Sequence, residues 1–367
     1  MIRFSVEPLG EAAGLMIEWR ALHARAGDAP FFLSPAWMAA WLAGKPSHID
    51  LSVVRGVLGE ETMLLGVFGR NRRRHPPLVG ASAAHFHEFG AADFDSVYVE
   101  YNDFLVAANA PAGARQGAVR AVLEAFARED DIVFRNVRTP LARAVDAADA
   151  ARWNVRTINP QPTFAVDLRK AQTEGAAFLA SLGGSLGAQV RRSIRRYEER
   201  GALTFEIAAT DPERAAAWKT LIELHEESWR RRGRRGVFSN AAFVAFHQRL
   251  MRNSPENVHL ATLKCAGEPI GCLYNFVEGG RVLNYQSGFR FEDDNQLKPG
   301  FVAHALAVRY YAGKGFSVYD LLAGEAPYKR RLAAEKEVLS TIVLEKRTGL
   351  RSGARRAARA MRKVFVK

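Results

Sequence analysis

Hydrophobic and polar positions alternate in two rhythms between residues 203 and 346, and the switches between them predict an order of elements. LTFEIA (203–208) has period two and is rich in strand formers. Asp211-Pro212 then opens a helix, Asp as cap and Pro in the first turn. Trp218, Leu221, Ile222, His225 and Trp229 share one face of it at three- and four-residue spacing. RRRGRRG (230–236) ends that helix, and Ser239-Asn240 caps another carrying Phe243, Phe246, His247 and Leu250. VHLATLK (258–264), PIGCLYNFV (269–277) and RVLNYQS (281–287) follow, joined at Ala266-Gly267-Glu268 and Gly279-Gly280, which predicts an antiparallel meander. Pro299-Gly300 starts a helix that runs to about Ala312 and that Gly313-Lys314-Gly315 stops. SVYDLL (317–322) reads as a strand, APYKRRLA (326–333) as a short helix and VLSTIVLEK (338–346) as a last strand.

The first half repeats much of this. IRFSVE (2–7) is a strand, and a helix carries Leu15, Trp19 and Leu22. FFLS (31–34) leads into a helix with Trp37 and Trp41, and LSVVRGV (51–57) and TMLLGVFGR (62–70) form a hairpin across Gly59-Glu60-Glu61. A helix near 111–128 and the strand DIVFRNV (131–137) come later. FFLSPAW (31–37) parallels GVFSNAAF (236–243) in place and character. The expectation is a duplicated α/β architecture, each half a mixed, mostly antiparallel sheet flanked by helices. Prolines at Asn159-Pro160-Gln161-Pro162 interrupt both rhythms, so the boundary is placed there: a domain over 1–158, a second over 159–346 and a basic tail over 347–367.

Composition adds limits. A chain of 367 residues fits two domains. No run approaches the ~20 apolar residues of a membrane span, and MIRFSVEPLGEAAG lacks the order of a signal peptide. A cytoplasmic protein is expected, with Cys265 and Cys272 as buried thiols. Residues 346–367 hold nine basic side chains and no acidic one, leaving only +4 of the net +13 for the other 345 residues. The positive field therefore belongs chiefly to the tail, which reads either as an amphipathic basic helix for peripheral contact with the inner membrane or as disordered chain.

SLGAQVRRSIRRYEERGALTFE (185–206), LKPGFVAHALA (297–307) and YDLLAGEAPYKRRLA (319–333) resemble, in order, a GNAT-like acyltransferase family. It is the branch related to the FemABX aminoacyl-transferases that includes the CelD-like proteins associated with cellulose biosynthesis. The resemblance is strong over 175–335, and PFFLSPAW (30–37) with EYNDFLV (100–106) is similar to the N-terminal region of the same proteins. It implies tandem GNAT-like domains, the first degenerate, and transfer of an acetyl or longer acyl group from a coenzyme A thioester to an amine or hydroxyl of a cell-envelope or polysaccharide precursor. The FemABX relatives imply an aminoacyl-tRNA donor instead. The family's pyrophosphate loop, Arg/Gln-x-x-Gly-x-Gly/Ala, is replaced here by Gln296-Leu297-Lys298-Pro299-Gly300-Phe301, which leaves the donor open.

The resemblance also implies a site. In a GNAT-like fold the thioester lies where two neighbouring parallel strands splay, here RVLNYQS and SVYDLL. Backbone N–H groups near Tyr285, Gln286 and Ser287 would face the carbonyl. The helix start at Gly300 and Phe301 would hold a phosphate, with Lys298 adding charge. Tyr328 stands where such enzymes protonate the leaving thiolate, and Lys329 could steady the same charge. Asp320, inside a buried strand, needs a partner or a task; general base, amine anchor and an ion pair with Lys329 or Arg330 stay open. His225, Trp229, Arg230 and Phe238 are expected to shape the acceptor pocket, and His247 and His304 to be core residues. No histidine or cysteine has metal-ligand spacing, so no metal is expected. The clusters Arg70 to Arg74, Arg191 to Arg196 and Arg230 to Arg235 are solvated faces or holds for an acidic acceptor, an acyl carrier protein or tRNA. No module for sequence-specific DNA binding accompanies them. A catalytically idle scaffold for polysaccharide machinery is the reading from another class.

Overall fold

The period-two segments of the first half form strands β1 (Arg3–Pro8), β2 (Ile49–Leu58), β3 (Glu61–Asn71), β4 (Ala83–Phe86), β5 (Leu105–Val106) and β6 (Asp131–Val137). Helices α1 (Ala12–His23), α2 (Pro35–Leu42), α3 (Ala114–Ala125) and α4 (Thr139–Asp146) lie among them. β7 (Trp153–Asp167) and α5 (Leu168–Glu174) lead into the second half: α6 (Leu186–Arg200), β8 (Leu203–Ile207), α7 (Asp211–Arg231), α8 (Ala241–Asn253), β9 (Val258–Cys265), β10 (Glu268–Glu278), β11 (Arg281–Phe289), α9 (Pro299–Gly313), β12 (Val318–Ala323), α10 (Pro327–Leu332) and β13 (Ala334–Lys346). The computed structural model describes residues 1–71, 82–148, 151–174 and 185–347. Arg72, Arg73 and Arg74 and tail residues 348–367, including the expected basic helix, lie outside the described residues. No helix among those described is long and apolar enough to cross a membrane.

The chain forms two compact units, Met1–Gln161 with Val338–Lys367, and Pro162–Glu337. In the first, strands run in the order β1-β2-β3-β4-β6-β13, with β5 on β3. In the second the order is β8-β9-β10-β11-β12-β7. Each sheet is antiparallel except at one place, β4 beside β6 in the first unit and β11 beside β12 in the second. The two halves thus share one topology, as the repeated sequence rhythm predicts. Apolar faces pack into a core in each, around Phe68, Phe86, Phe134 and Ile342 in the first unit and Val190, Leu273, Val302 and Tyr319 in the second.

Three expectations are corrected. The sequence pattern places the strand over 338–346 in the second domain, yet β13 pairs with β6 through Ser340↔Val137 and Val343↔Val133 and so belongs to the first unit. Hydrophobic alternation fixes a strand's two faces and leaves its neighbour unspecified. The prolines at 160 and 162 do not interrupt the strand: the boundary stretch lies within β7, where Asn159 takes a left-handed φ of 52°. Proline's fixed φ is compatible with extended chain wherever its missing N–H is not needed by the ladder. Finally, α7 is capped by Thr210 rather than Asp211, in a capping box with Glu213.

One contact sets where α7 lies against the sheet. At Gly288 of β11 a Cβ would stand 2.7 Å from the backbone nitrogen of His225 and 2.9 Å from the carbonyl oxygen of Leu221. Both are helix backbone atoms, so neither can turn aside. Gly288→Ala is expected to lower unfolding free energy by about 1–3 kcal/mol in urea titrations; an unchanged midpoint would mean α7 is free to shift.

Candidate active site

β11 and β12 pair only through Arg281↔Val318, Val282↔Tyr319 and Leu283↔Asp320, and then part. Local chemistry holds both strands in that parting. On β11 the register against β10 jumps from Tyr274↔Gln286 to Asn275↔Asn284, leaving Tyr285 as an extra residue in a bulge. On β12 Leu322 takes a φ of 61°, unusual for a side chain of its kind. Its N–H donates to Oδ1 of Asp320 at 2.8 Å. Nζ of Lys329 donates to the carbonyls of Leu322 (3.2 Å) and Ala323 (2.5 Å).

Asp320 and Lys329 are both buried, and this geometry gives each a structural task. The second oxygen of Asp320 accepts from Nη2 of Arg281 at 3.1 Å, so an ion-pair partner of this carboxylate sits one strand over, on β11. Arg330 pairs with Glu325 instead.

Beside the parted end of β11 lies a cleft of about 490 Å³. α7 lines it with His225, Ser228 and Trp229, followed by its C-cap Arg232, and β11 with Gln286, Ser287 and Phe289. Lys298, Pro299, Gly300, Phe301 and His304 come from the start of α9, and Tyr328 from α10. The N–H of Lys298 is taken by Oγ of Ser193 at 2.9 Å, and Pro299 has none. Gly300 and Phe301 therefore offer the first helix amides without an intrahelical carbonyl, next to the Lys298 side chain. Such a corner suits an anion.

Three titratable rings also line the cleft. Nδ1 of His225 is 3.1 Å from the carbonyl oxygen of Ser287, and burial lowers the ring's pKa. Nδ1 of His304 is 2.9 Å from the Tyr319 hydroxyl, and its ring stacks on Tyr328 at 5.5 Å and 13°. Burial, followed by the Lys329 charge, pulls His304 down to about 3. Burial pushes the Tyr328 phenol up to about 12. At neutral pH both rings are bare and the phenol keeps its proton.

Of the residues singled out from sequence, His225, Trp229, Gln286, Ser287, Lys298, Gly300, Phe301 and Tyr328 meet at this cleft. Tyr285 is turned against Phe243 and Phe276, and Phe238 stands edge-on behind His225 at 4.8 Å. Arg230 is exposed and is not among the lining residues. Sequence reasoning missed Ser228, Arg232, Phe289 and His304 as lining residues. The signal was there: Ser228, Arg232 and His304 stand three or four residues from His225, Trp229 and Gly300 on one helix face, and Phe289 is two beyond Ser287 on a strand. His247 is a core residue, its Nδ1 3.1 Å from the Tyr274 hydroxyl. Among the described residues no group of three or more His, Cys, Asp or Glu is placed to hold a metal ion.

Residues 185–330 match the acetyltransferase (GNAT) domain family. Among solved structures, FemX is similar at 11% identity and a TM-score of 0.57, over 91% of this chain and 96% of that one. A tandem GNAT protein from the clavulanic acid biosynthesis pathway is similar at 12% and 0.51, over 95% and 99%. L-PGS from Bacillus licheniformis is similar at 10% and 0.53, over 91% and 93%. At such identities the likeness is one of fold. No curated protein matches the chain. Residues 185–330 thus have a GNAT-type acyltransferase fold, in a chain whose overall fold is similar to FemX and to a tandem GNAT protein.

The parting of the strands can be tested through Asp320. Asp320→Asn keeps an acceptor for the Leu322 N–H, whereas Asp320→Ala leaves that buried donor unpaired. The alanine variant is expected to be less stable than the asparagine variant by about 1–3 kcal/mol in urea unfolding. Equal losses would mean that the Arg281 ion pair alone matters.

Proposed function

We propose that the second unit transfers an acyl group from a coenzyme A thioester to an amine or hydroxyl of a small or envelope-precursor acceptor. The observation that supports this most is a convergence on one cleft: an open helix start with Lys298, the bulged strand beside Ser287, and a protonated Tyr328. The residues present suit such a donor. Gly300, Phe301 and Lys298 would hold its pyrophosphate. The backbone of β11 around Gln286 and Ser287 would face the thioester carbonyl, where negative charge develops. Tyr328 would give its proton to the departing sulfur.

The first unit is read as binding no donor. Between its own parallel strands Nδ2 of Asn102 donates to the carbonyls of Phe86 (3.3 Å) and Arg135 (3.1 Å), so chain from the same unit fills the gap that β11 and β12 leave open. One thioester per chain is therefore expected.

A polyanionic donor, aminoacyl-tRNA, is the second reading. It is favoured by Arg191, Arg192 and Arg195, all exposed on the helix whose Ser193 binds the backbone of Lys298.

Calorimetry with acetyl-, medium- and long-chain acyl-coenzyme A tests the first reading, with one saturable site expected. Tyr328→Phe should bind nearly as well while thiol release falls about 10²- to 10⁴-fold. If no acyl-coenzyme A binds, and acyl transfer in cell extract is lost after ribonuclease treatment, the tRNA donor takes its place.

A further inference from the structure

Leaving a buried acceptor without a donor is costly, so a bare nitrogen on a ring that lines the cleft bears on what the cleft receives. His225 is 5% exposed and lines the cleft. A carbonyl oxygen can only accept, so the bond to Ser287 puts the proton on Nδ1 and leaves Nε2 with a lone pair. Nε2 is buried without a hydrogen-bond partner. The ring is also held in place. Phe238 meets it edge-on, Trp229 stands 5.9 Å away, and a Cβ at Gly236 would come within 2.7 Å of its Cδ2. A glycine is therefore needed where the chain passes that edge of the ring.

We infer that His225 is the general base of the transfer, its Nε2 accepting a hydrogen bond from the acceptor's N–H or O–H and taking that proton as the new bond forms. This rests on the thioester reading above. The acceptor's lone pair attacks the thioester carbonyl carbon, a C–N or C–O bond forms, and the acceptor's proton passes to Nε2. When the adduct collapses the C–S bond breaks, and the sulfur takes the hydroxyl proton of Tyr328. The imidazolium then returns a proton through solvent to the phenolate. Ester or amide and free thiol leave, and both side chains end as they began.

The surroundings suit a base that is neutral when it works. Burial lowers the ring's proton affinity, the Ser287 carbonyl and Glu226 raise it, and Arg232 lowers it. Across the cleft stand Lys298 and His304 from α9 and Tyr328 from α10, and none of them brings negative charge. Phe238 and Gly236 add no titratable group. His304 is the weaker candidate. Its pKa near 3 makes a poor base, and its Nδ1 faces a hydroxyl that can either donate or accept, so no bare Nε2 is fixed.

The test uses the full chain with acetyl- and octanoyl-coenzyme A as donors and ethanolamine and hydroxylamine as acceptors, following thiol release from about pH 5 to 9. Two variants are compared. His225→Asn can still donate to Ser287 through its amide, and His225→Gln matches the reach of Nε2, while neither can take a proton. Each is expected to keep donor affinity within about threefold and to lose about 10²- to 10⁴-fold in turnover. The unaltered chain should lose rate as pH falls below the ordinary histidine range of about 6.5, and the variants should lack that limb. Variants that keep both rate and limb, or that lose donor binding along with turnover, would overturn the assignment to His225 and leave the transferase reading standing. An unaltered chain that binds neither donor, or releases no thiol to either acceptor, would sink that reading and the assignment with it.

Discussion

Everything at the cleft depends on two parallel strands that stop pairing. When β11 and β12 part after Leu283 and Asp320, backbone groups that a ladder would have joined need other partners. On β12 the partners are side chains. The carboxylate of Asp320 takes the N–H of Leu322, and the ammonium of Lys329 takes the next carbonyls. A buried carboxylate and a buried lysine thus serve the backbone in place of the missing strand. That leaves β11 free to follow its bulge, which brings Gln286 and Ser287 to the cleft while Tyr285 turns toward Phe243.

The first unit shows what the same topology becomes when the gap is filled. β4 and β6 also pair over three residues, ending at His85↔Val133. Beyond that point Asn102 bonds to both strands, and its Oδ1 lies 2.8 Å from Nδ1 of His87. Phe104 follows into the core, its ring so close to Gly66 that a Cβ there would come within 2.5 Å. Glu88 is buried in the same region, and burial pushes its carboxyl up to about 8. The segment carrying Asn102 and Phe104 decides between a filled gap and an open one, while the strand order stays the same.

Element order was legible because it is written in local rhythm: period two for strands, three and four for helices, glycine pairs at turns. Partnership was not. β13 joins a strand some two hundred residues earlier, and nothing in VLSTIVLEK names Val133 or Val137 as its neighbours. The same division runs through the site. Pro299-Gly300 announced an open helix start, because a proline at the first turn and a bare glycine beside it are local facts. Asp320 and Lys329 drew attention by residue type, and type cannot tell a catalytic charge from one that caps a broken ladder. Spacing within α9 places His304 in the core, where it is buried, but its stacking on Tyr328 depends on how α10 packs, which that spacing does not reveal.

Burial acts on an imidazole and a phenol in opposite directions on the pH scale and toward the same end, the neutral form. Here burial lowers His225 and His304 and raises Tyr328, with the Lys329 charge adding to the lowering of His304 and with Glu226 and Arg232 acting in opposite senses on His225, so at neutral pH both imidazoles are neutral and the phenol keeps its proton. This is how environment separates acid from base when the groups themselves are ordinary. Lys298 stands beside the open end of α9, a corner that suits an anion. The fold brings these groups together, His225 from α7 and Lys298, His304 and Tyr328 from α9 and α10, around a strand that has let go of its neighbour.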